Sequence, residues 1–319
     1  MLRLIIALTV VVISIVSVHS LSTTTHPMLL NKKCLVTGAS GGIGKAIAIK
    51  LAEHGARVLV HYNTRRAGAE NTCQTIRQAK ETCKKIRNAC SGTCDGIMKA
   101  DFRCSQNIHS MFKKVDEIWD GEIDVLVNNA GLVTKLAIED DDDDLSTWHE
   151  TMSVNLHAPL LLSKLAHQRM KRGGRGGSII MNSSIHGSTS VEWMTAYAAS
   201  KAALDHLTRG LSNEWARDGV RVNAVAPGVV PVERTEAILN QPEAQKLWLP
   251  HLPVGRMGTV EDIAEAVLYI CSADWMSGSI LTVDGGMTAR SNMPIRGKPA
   301  PNKTSGQVQI SSQVEFDQL

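Results

Sequence analysis

Between the apolar run Cys34-Leu35-Val36 and a helical pattern from Lys45 to Glu53 stands the segment Thr37-Gly38-Ala39-Ser40-Gly41-Gly42-Ile43-Gly44. A strand, a glycine-rich turn and a helix start therefore follow one another without a spacer. Unpaired backbone N–H groups and the positive end of the helix dipole gather at such a junction, and glycines let the backbone approach a pyrophosphate closely. The segment is suited to holding a dinucleotide. A glycine-rich strand-to-helix turn is also a common tight connection, so the rest of the chain has to decide.

Strand patterns occur at Lys33 to Val36, Arg57 to His61, Gly96 to Lys99, Ile123 to Val127, Ser178 to Asn182, Arg221 to Val225 and Ser279 to Val283. Helical patterns lie between them, including Trp148 to Met170, Ala196 to Ala216 and Val260 to Ile270. Such alternation predicts an α/β fold, a doubly wound parallel sheet (Rossmann fold) with helices on both faces. Ligands of these sheets bind beyond the carboxyl ends of the strands, where Gly38, Asn128 and Ser184 all fall. With 43% hydrophobic and 20% charged residues among 319, one domain over 28–289 buries a large core. The net charge of +3 is small and its basic residues are dispersed, which argues against nucleic acid as a partner.

Other segments extend the pattern of the first turn. Asn128-Asn129-Ala130-Gly131 follows the strand Val125-Leu126-Val127, and Ser183-Ser184 ends another strand. Tyr197 and Lys201 form Tyr-x-x-x-Lys, and Asn155, Pro227-Gly228 and Val283-Asp284-Gly285-Gly286 complete the series. In this order and spacing, from about Leu30 to Ala289, the chain resembles the short-chain dehydrogenase/reductase family, including its 3-oxoacyl-carrier-protein reductases and glucose dehydrogenase-like members. The resemblance implies hydride transfer between a nicotinamide cofactor and a small carbonyl or secondary alcohol substrate, in a homo-oligomer. Gly38, Ser40, Gly42, Ile43, Gly44, Asn129, Pro227 and Gly228 are the cofactor-binding positions it implies.

Tyr197 and Lys201 are four residues apart in a helical segment, so their side chains share a face. Free tyrosine titrates at about pH 10, and an adjacent ammonium is expected to lower that value. Tyr197 is then the general acid of carbonyl reduction and the general base of alcohol oxidation. By resemblance, Lys201 tunes Tyr197 and hydrogen-bonds the nicotinamide ribose. Ser184, 13 positions before Tyr197, matches the serine that holds the substrate oxygen, with Ser183 the lesser candidate. Asn155 matches the asparagine that keeps a water in a proton relay behind the lysine.

Cofactor choice turns on Val58-Leu59-Val60-His61-Tyr62-Asn63-Thr64-Arg65-Arg66, which lacks the carboxylate that binds a ribose 2′-OH in NAD-preferring relatives. Asn63, Thr64 and Arg65 instead suit a 2′-phosphate, so NADP is expected ahead of NAD. Gly41 stands where NADP-preferring relatives often carry a basic residue. Asp101 matches a residue that contacts adenine, or it is a helix N-cap. Val232 replaces the threonine that usually follows Pro-Gly near the nicotinamide amide, with Thr235 as a substitute. The segment from Pro231 to Thr235, and the residues that follow to Leu249, are expected to cover the substrate. His186 and the ending Asp284-Gly285-Gly286-Met287-Thr288 are similar to sugar-oxidising members.

The N-terminus, with Arg3, an apolar run from Leu4 to Val18 and the small Ser20, reads as a signal peptide cleaved after Ser20. That places the chain in the endoplasmic reticulum lumen or outside the cell; an uncleaved membrane anchor is the alternative, though about 15 apolar residues are short for a span. A luminal chain would carry glycan at Asn302-Lys303-Thr304, whereas the second acceptor motif, Asn182-Ser183-Ser184, ends a core strand. Of seven cysteines, Cys34 and Cys271 read as buried hydrophobes. Five more crowd the region from Cys73 to Cys104, where Cys90 with Cys94 is the simplest disulfide. The acidic run Glu139 to Asp144 lacks the spacing of a calcium loop, and nothing suggests zinc; it reads as a solvated cap to the helix that follows. Residues 290–319 are polar and read as a tail. Three functions fit: a carbonyl reductase, a sugar or polyol dehydrogenase, and a non-catalytic binding protein that keeps the fold.

Overall fold

In strands such as Cys34-Leu35-Val36 and Val58-Leu59-Val60 every residue is apolar, and a parallel sheet covered on both faces is the arrangement that buries them all. A computed structural model describes residues 28–86 and 92–289 and places seven such strands in one parallel sheet. They are β1 (Lys33–Val36), β2 (Arg57–Tyr62), β3 (Thr93–Lys99), β4 (Val125–Asn128), β5 (Gly177–Asn182), β6 (Val220–Pro227) and β7 (Ile280–Val283). Their order is β3-β2-β1-β4-β5-β6-β7. The chain reverses its direction of travel across the sheet between β1 and β4, and doubly wound folds bind their ligands at that switch point.

Helices cover both faces: α1 (Gly42–Glu53), α2 (Arg66–Ile86), α3 (Ser105–Trp119), α4 (Ser146–Met152), α5 (Ala158–Gly173), α6 (Thr195–Trp215), the short α7 (Glu236–Leu239) and α8 (Pro242–Trp248), and α9 (Val260–Ser272). Alternating strand residues feed two cores. Val36, Val58 and Val60 face α1 and α9 residues such as Ile47, Leu51 and Val267, while Leu35, Leu59 and Leu126 face the α3 stripe Ile108, Met111, Phe112, Val115 and Trp119. The spacing of that stripe is one face of a helix.

One expected helix, Trp148 to Met170, is interrupted. Between α4 and α5 the residues Ser153–His157 form a wider π turn, and Pro159, in the first turn of α5, has no N–H to give. The acidic run does cap α4: Asp141 accepts hydrogen bonds from the N–H groups of Thr147 (3.2 Å) and Trp148 (3.1 Å), and Asp142 from that of Ser146 (2.8 Å). Among the described residues no cluster of metal-ligating side chains occurs and no helix is long and apolar enough to cross a membrane. The expected signal segment 1–20, the tail from 290 and the glycan acceptor Asn302 lie outside the described residues.

The disulfide differs from expectation. Cys94 is bonded to Cys73, with Cα atoms 5.3 Å apart, and not to Cys90, which lies outside the described residues. Strand β3 begins three residues earlier than its apolar pattern, which brings Cys94 under α2, where Cys73 is buried. Asp95 accompanies this with a bulge against β2, accepting hydrogen bonds from Arg57 Nε and Trp119 Nε1, both at 2.8 Å. Cys34 and Cys271 are buried and free, as read from the sequence.

Closing a loop of 21 residues constrains the unfolded chain, so Cys94→Ala should lower the unfolding free energy by roughly 2–4 kcal/mol. Urea denaturation with and without reductant checks this: reductant should destabilise the natural chain by a similar amount and leave the variant unmoved.

Candidate active site

The carboxyl ends of β1, β4 and β5 are tied together by polar side chains that follow the strands. Thr37 donates its hydroxyl to the Val127 carbonyl (3.1 Å) and accepts from the N–H groups of Asn129 (2.8 Å) and Ala130 (3.0 Å). The Asn129 amide donates to the Thr37 (2.8 Å) and Gly38 (3.2 Å) carbonyls, and its oxygen accepts from Asn182 Nδ2 (2.8 Å). Lys201, on α6, donates to the Asn182 carbonyl at 2.7 Å. The glycine turn, the Asn-Asn-Ala-Gly segment and the Tyr-x-x-x-Lys helix are thus parts of one network.

Close packing explains two glycines of the turn. A Cβ on Gly44 would lie 2.3 Å from Asn129 Nδ2 and 2.5 Å from the Gly38 carbonyl oxygen, and Gly38 has φ +62°. His61 supports the turn from β2 and was missed by sequence reasoning. Its Nδ1 accepts from the Gly38 N–H (3.0 Å), its Nε2 bonds the Ala100 carbonyl (3.0 Å), and its ring stacks on Phe102. Burial pushes its pKa down to about 4, so it serves as a neutral spacer.

A cavity of about 940 Å³ opens over this network. Its wall includes every position expected to bind cofactor: Gly38, Ser40, Gly42, Ile43, Gly44, Asn63, Arg65, Asp101, Asn129, Pro227 and Gly228, together with Tyr197 and Lys201. Its size, its glycine floor and the helix start of α1 that it meets fit a dinucleotide. Arg65 crosses the turn and donates to the Ser40 carbonyl at 3.2 Å, and a Cβ on Gly41 would lie 2.3 Å from its guanidinium. The guanidinium of Arg65 therefore lies where a side chain at position 41 would begin. Asp101 is not a helix cap: Cys104 stands at the start of α3, and the Asp101 carboxylate is held by Arg103 Nε at 3.0 Å to each oxygen.

At the far end of the cavity Ser184 and Tyr197 meet. Tyr197 is half-buried, and burial raises its phenol above the ordinary tyrosine value, while the neighbouring Ser184 hydroxyl and the Arg234 charge pull it back down. The lowering expected from Lys201 is not seen: the groups that oppose burial at the phenol are Ser184 and Arg234. Lys201, 6% exposed with its Nζ 5.6 Å from the Tyr197 ring centroid, is itself pushed down to about 8 by burial, against the pull of Asp205 one turn further along α6. Sequence reasoning also missed Asp205, a buried carboxylate at helical spacing from Lys201.

Asn155 sits in the π turn, 1% exposed, with Oδ1 accepting from the Leu132 N–H (2.8 Å) and Nδ2 donating to the Leu132 carbonyl (2.9 Å) and Ser200 Oγ (3.1 Å). It holds the loop after Gly131 against α6. Ser183 is buried behind Ser184, and His186 packs edge-on against the Tyr197 ring at 6.0 Å. Val232 and Thr235 line the cavity, the Thr235 hydroxyl accepting from the Val232 N–H at 3.1 Å. Beside them Glu233 reaches the glycine turn, where its carboxylate accepts from the Gly42 N–H at 2.8 Å and lies 3.9 Å from Arg65.

Comparison with known proteins agrees with this geometry. A family model described as enoyl-(acyl carrier protein) reductase matches residues 38–288. An uncharacterised oxidoreductase of Thermotoga maritima is 37% identical over 81% of this chain and 98% of its own length. The 3-oxoacyl-[acyl-carrier-protein] reductase FabG of Aquifex aeolicus is 34% identical over 81% of this chain and 98% of its own. Among solved structures, a short-chain type dehydrogenase/reductase from Mycobacterium marinum superposes with TM-score 0.72 at 30% identity, covering 84% of this chain and all of that one. A candidate NAD(P)-dependent gluconate 5-dehydrogenase from Beutenbergia cavernae, with NADP bound at low occupancy, gives TM-score 0.72 at 32% identity over 83% of this chain and all of that one.

A cofactor phosphate held by the Gly42 N–H and Arg65 would compete with Glu233, which occupies both. Glu233→Ala should therefore tighten NADPH binding about five- to tenfold, roughly 1–1.4 kcal/mol, while Arg65→Ala should weaken NADPH about tenfold or more and leave NADH nearly unchanged. Fluorescence titration of the two variants with both cofactors reads this directly; an Arg65→Ala variant that weakens NADH and NADPH alike would remove the 2′-phosphate assignment.

Proposed function

This chain belongs to the short-chain dehydrogenase/reductase family and is an NAD(P)-dependent oxidoreductase; from that premise we propose that Ser184, Tyr197 and Lys201 carry its chemistry and that NADP is its preferred cofactor. The observation that carries the reading is the convergence of Ser184, Tyr197 and Lys201 on the cavity that the glycine turn also lines. When bound, the nicotinamide cofactor supplies or accepts a hydride at the substrate carbon. Tyr197 gives its phenolic proton to the oxygen of a carbonyl undergoing reduction, or takes the proton of an alcohol undergoing oxidation. The Ser184 hydroxyl holds that oxygen beside the phenol.

Lys201 anchors the end of β5 through Asn182 and presents its ammonium to the ribose and to Tyr197. Asn155 sets the loop at Gly131 and Leu132 that walls this pair. Arg65, lying over Gly41 with no carboxylate at the end of β2 to oppose it, supports NADP over NAD. The substrate is a ketone or secondary alcohol, and the sugar-acid dehydrogenase among the similar structures makes a hydroxylated substrate the second reading.

Tyr197→Phe should reduce turnover to background while cofactor affinity stays within about twofold, because the proton donor is lost and the glycine turn is untouched. The depressed pKa of Lys201 gives a pH signature: its charge is present below about 8 and lost above, so carbonyl reduction should be level at lower pH and fall through about pH 8. Steady-state rates across pH, beside equilibrium cofactor titrations, check both outcomes. Turnover of the phenylalanine variant close to the natural rate would overturn the assignment of Tyr197.

We also infer that the chain enters the secretory pathway and works there as a homo-oligomer. The charged and apolar N-terminus supports the first part, as does the Cys73–Cys94 bond, since such bonds persist in oxidising compartments. Family resemblance supports the second. Protein expressed in a eukaryotic cell should lose residues 1–20, carry a removable glycan at Asn302 and sediment above the mass of one chain. A cytosolic product with its N-terminus intact and no glycan would contradict the compartment.

A further inference from the structure

The charges around the cavity do not balance, and their distribution points to a substrate. The carboxylates in its wall are Asp101, Glu150 and Glu233. Each has a cation within reach: Arg103 holds Asp101 and lies 3.3 Å from Glu150, and Arg65 lies 3.9 Å from Glu233. All these pairs stand around the glycine turn and the ends of β2 and β3, where the cofactor belongs. Two further cations line the wall without a carboxylate among the described residues, Arg234 and Lys135. Arg234 follows Glu233 on the loop after β6, and its charge is felt at the Tyr197 phenol. Lys135 lines the same cavity from the loop that runs from Gly131 past Leu132 and Val133. Both side chains are exposed and line the cavity that Ser184 and Tyr197 also line.

Resting on the proposed reductase activity, we propose that the substrate is an anionic hydroxy or oxo acid, whose anionic group is held by Arg234 and Lys135 while its carbonyl or hydroxyl lies between Ser184 and Tyr197. Cations opposed by no carboxylate in a concave wall raise the local concentration of anions and give a charge-assisted contact to an anionic oxygen. Arg234 offers the forked donor geometry that matches a carboxylate or phosphate ester, and Lys135 a point charge. With a neutral ketone neither residue gains a partner. Selectivity thus arises at this end of the cavity, while hydride and proton transfer depend on groups that every carbonyl meets.

The test uses the full chain with NADPH and substrate pairs that differ in the anionic group: 5-keto-D-gluconate against L-sorbose, acetoacetate against methyl acetoacetate, and D-fructose 6-phosphate against D-fructose. The carboxylate member should exceed its neutral partner in kcat/KM by about tenfold or more, and a larger preference in the third pair would assign the site to phosphate esters. Arg234→Ala should collapse that ratio towards one, Arg234→Lys should keep part of it, and raising ionic strength should lower it in the natural chain alone. Binding is read separately, by titrating the NADPH-loaded protein with gluconate and with glucitol. If no carbonyl is reduced, the reductase reading is at fault, and the binding arm still decides this one. Equal affinity for gluconate and glucitol, or an anion preference that survives in Arg234→Ala, would overturn the proposal.

Discussion

Asn129 is the point at which the sheet becomes a site. Its side-chain amide and backbone N–H link the ends of β1, β4 and β5 through Thr37, Gly38 and Asn182, and Asn182 passes the connection to Lys201. Parallel strands end with carbonyls that nothing in the sheet can satisfy, and buried polar groups without partners are costly. Here the side chains following the strands supply those partners. The bonds that finish the sheet also fix where the glycine turn lies relative to the Tyr-x-x-x-Lys helix, which couples the fold's own need to the spacing of the chemistry.

Burial gives the site its electrostatics. Tyr197 and Lys201 both leave water, and the phenol is pushed up while the ammonium is pushed down. The two shifts separate proton affinities that are similar in water, so the phenol holds its proton more tightly than the neighbouring ammonium does. The groups that offset burial come from elsewhere in the fold: Ser184 from the end of β5, Arg234 from the loop after β6, and Asp205 from the next turn of α6. Proton affinity at Tyr197 is therefore set by several elements, and the loop after β6 is one of them. A loop that recognises an anion with Arg234 also alters the acid beside it, so selectivity and reactivity are linked at one side chain.

Much of this was legible in the sequence because it rests on local period and local chemistry. Continuous apolar runs gave the strands, their alternation with helical patterns gave the parallel sheet, and glycines at fixed offsets gave the turn. What was not legible depends on long-range contact. The π turn that splits the helix around Asn155 follows from bonds to Leu132, and no residue-period signal marks it. Cys94 pairs with a residue on the neighbouring helix because β3 begins early, whereas spacing alone favours Cys90. His61 looked like another position in an apolar strand. Its two ring nitrogens in fact bridge Gly38 and Ala100, a role visible only once β1, β2 and β3 are side by side.

The departures from the family's residue pattern have a common physical basis, since a contact can be made from another element. Gly41 lacks the basic side chain of NADP-preferring relatives, yet Arg65 from the start of α2 occupies the space that such a side chain would take. Val232 lacks the hydroxyl of the usual threonine, and the same loop instead sends Glu233 to the Gly42 N–H. An anion thus sits at the positive end of α1 within the protein itself, held by the dipole and by Arg65. A cofactor phosphate reaching that end would meet a donor already occupied by Glu233. The loop after β6 thus contributes to both ends of the cavity, through Glu233 at the glycine turn and Arg234 near the Tyr197 phenol.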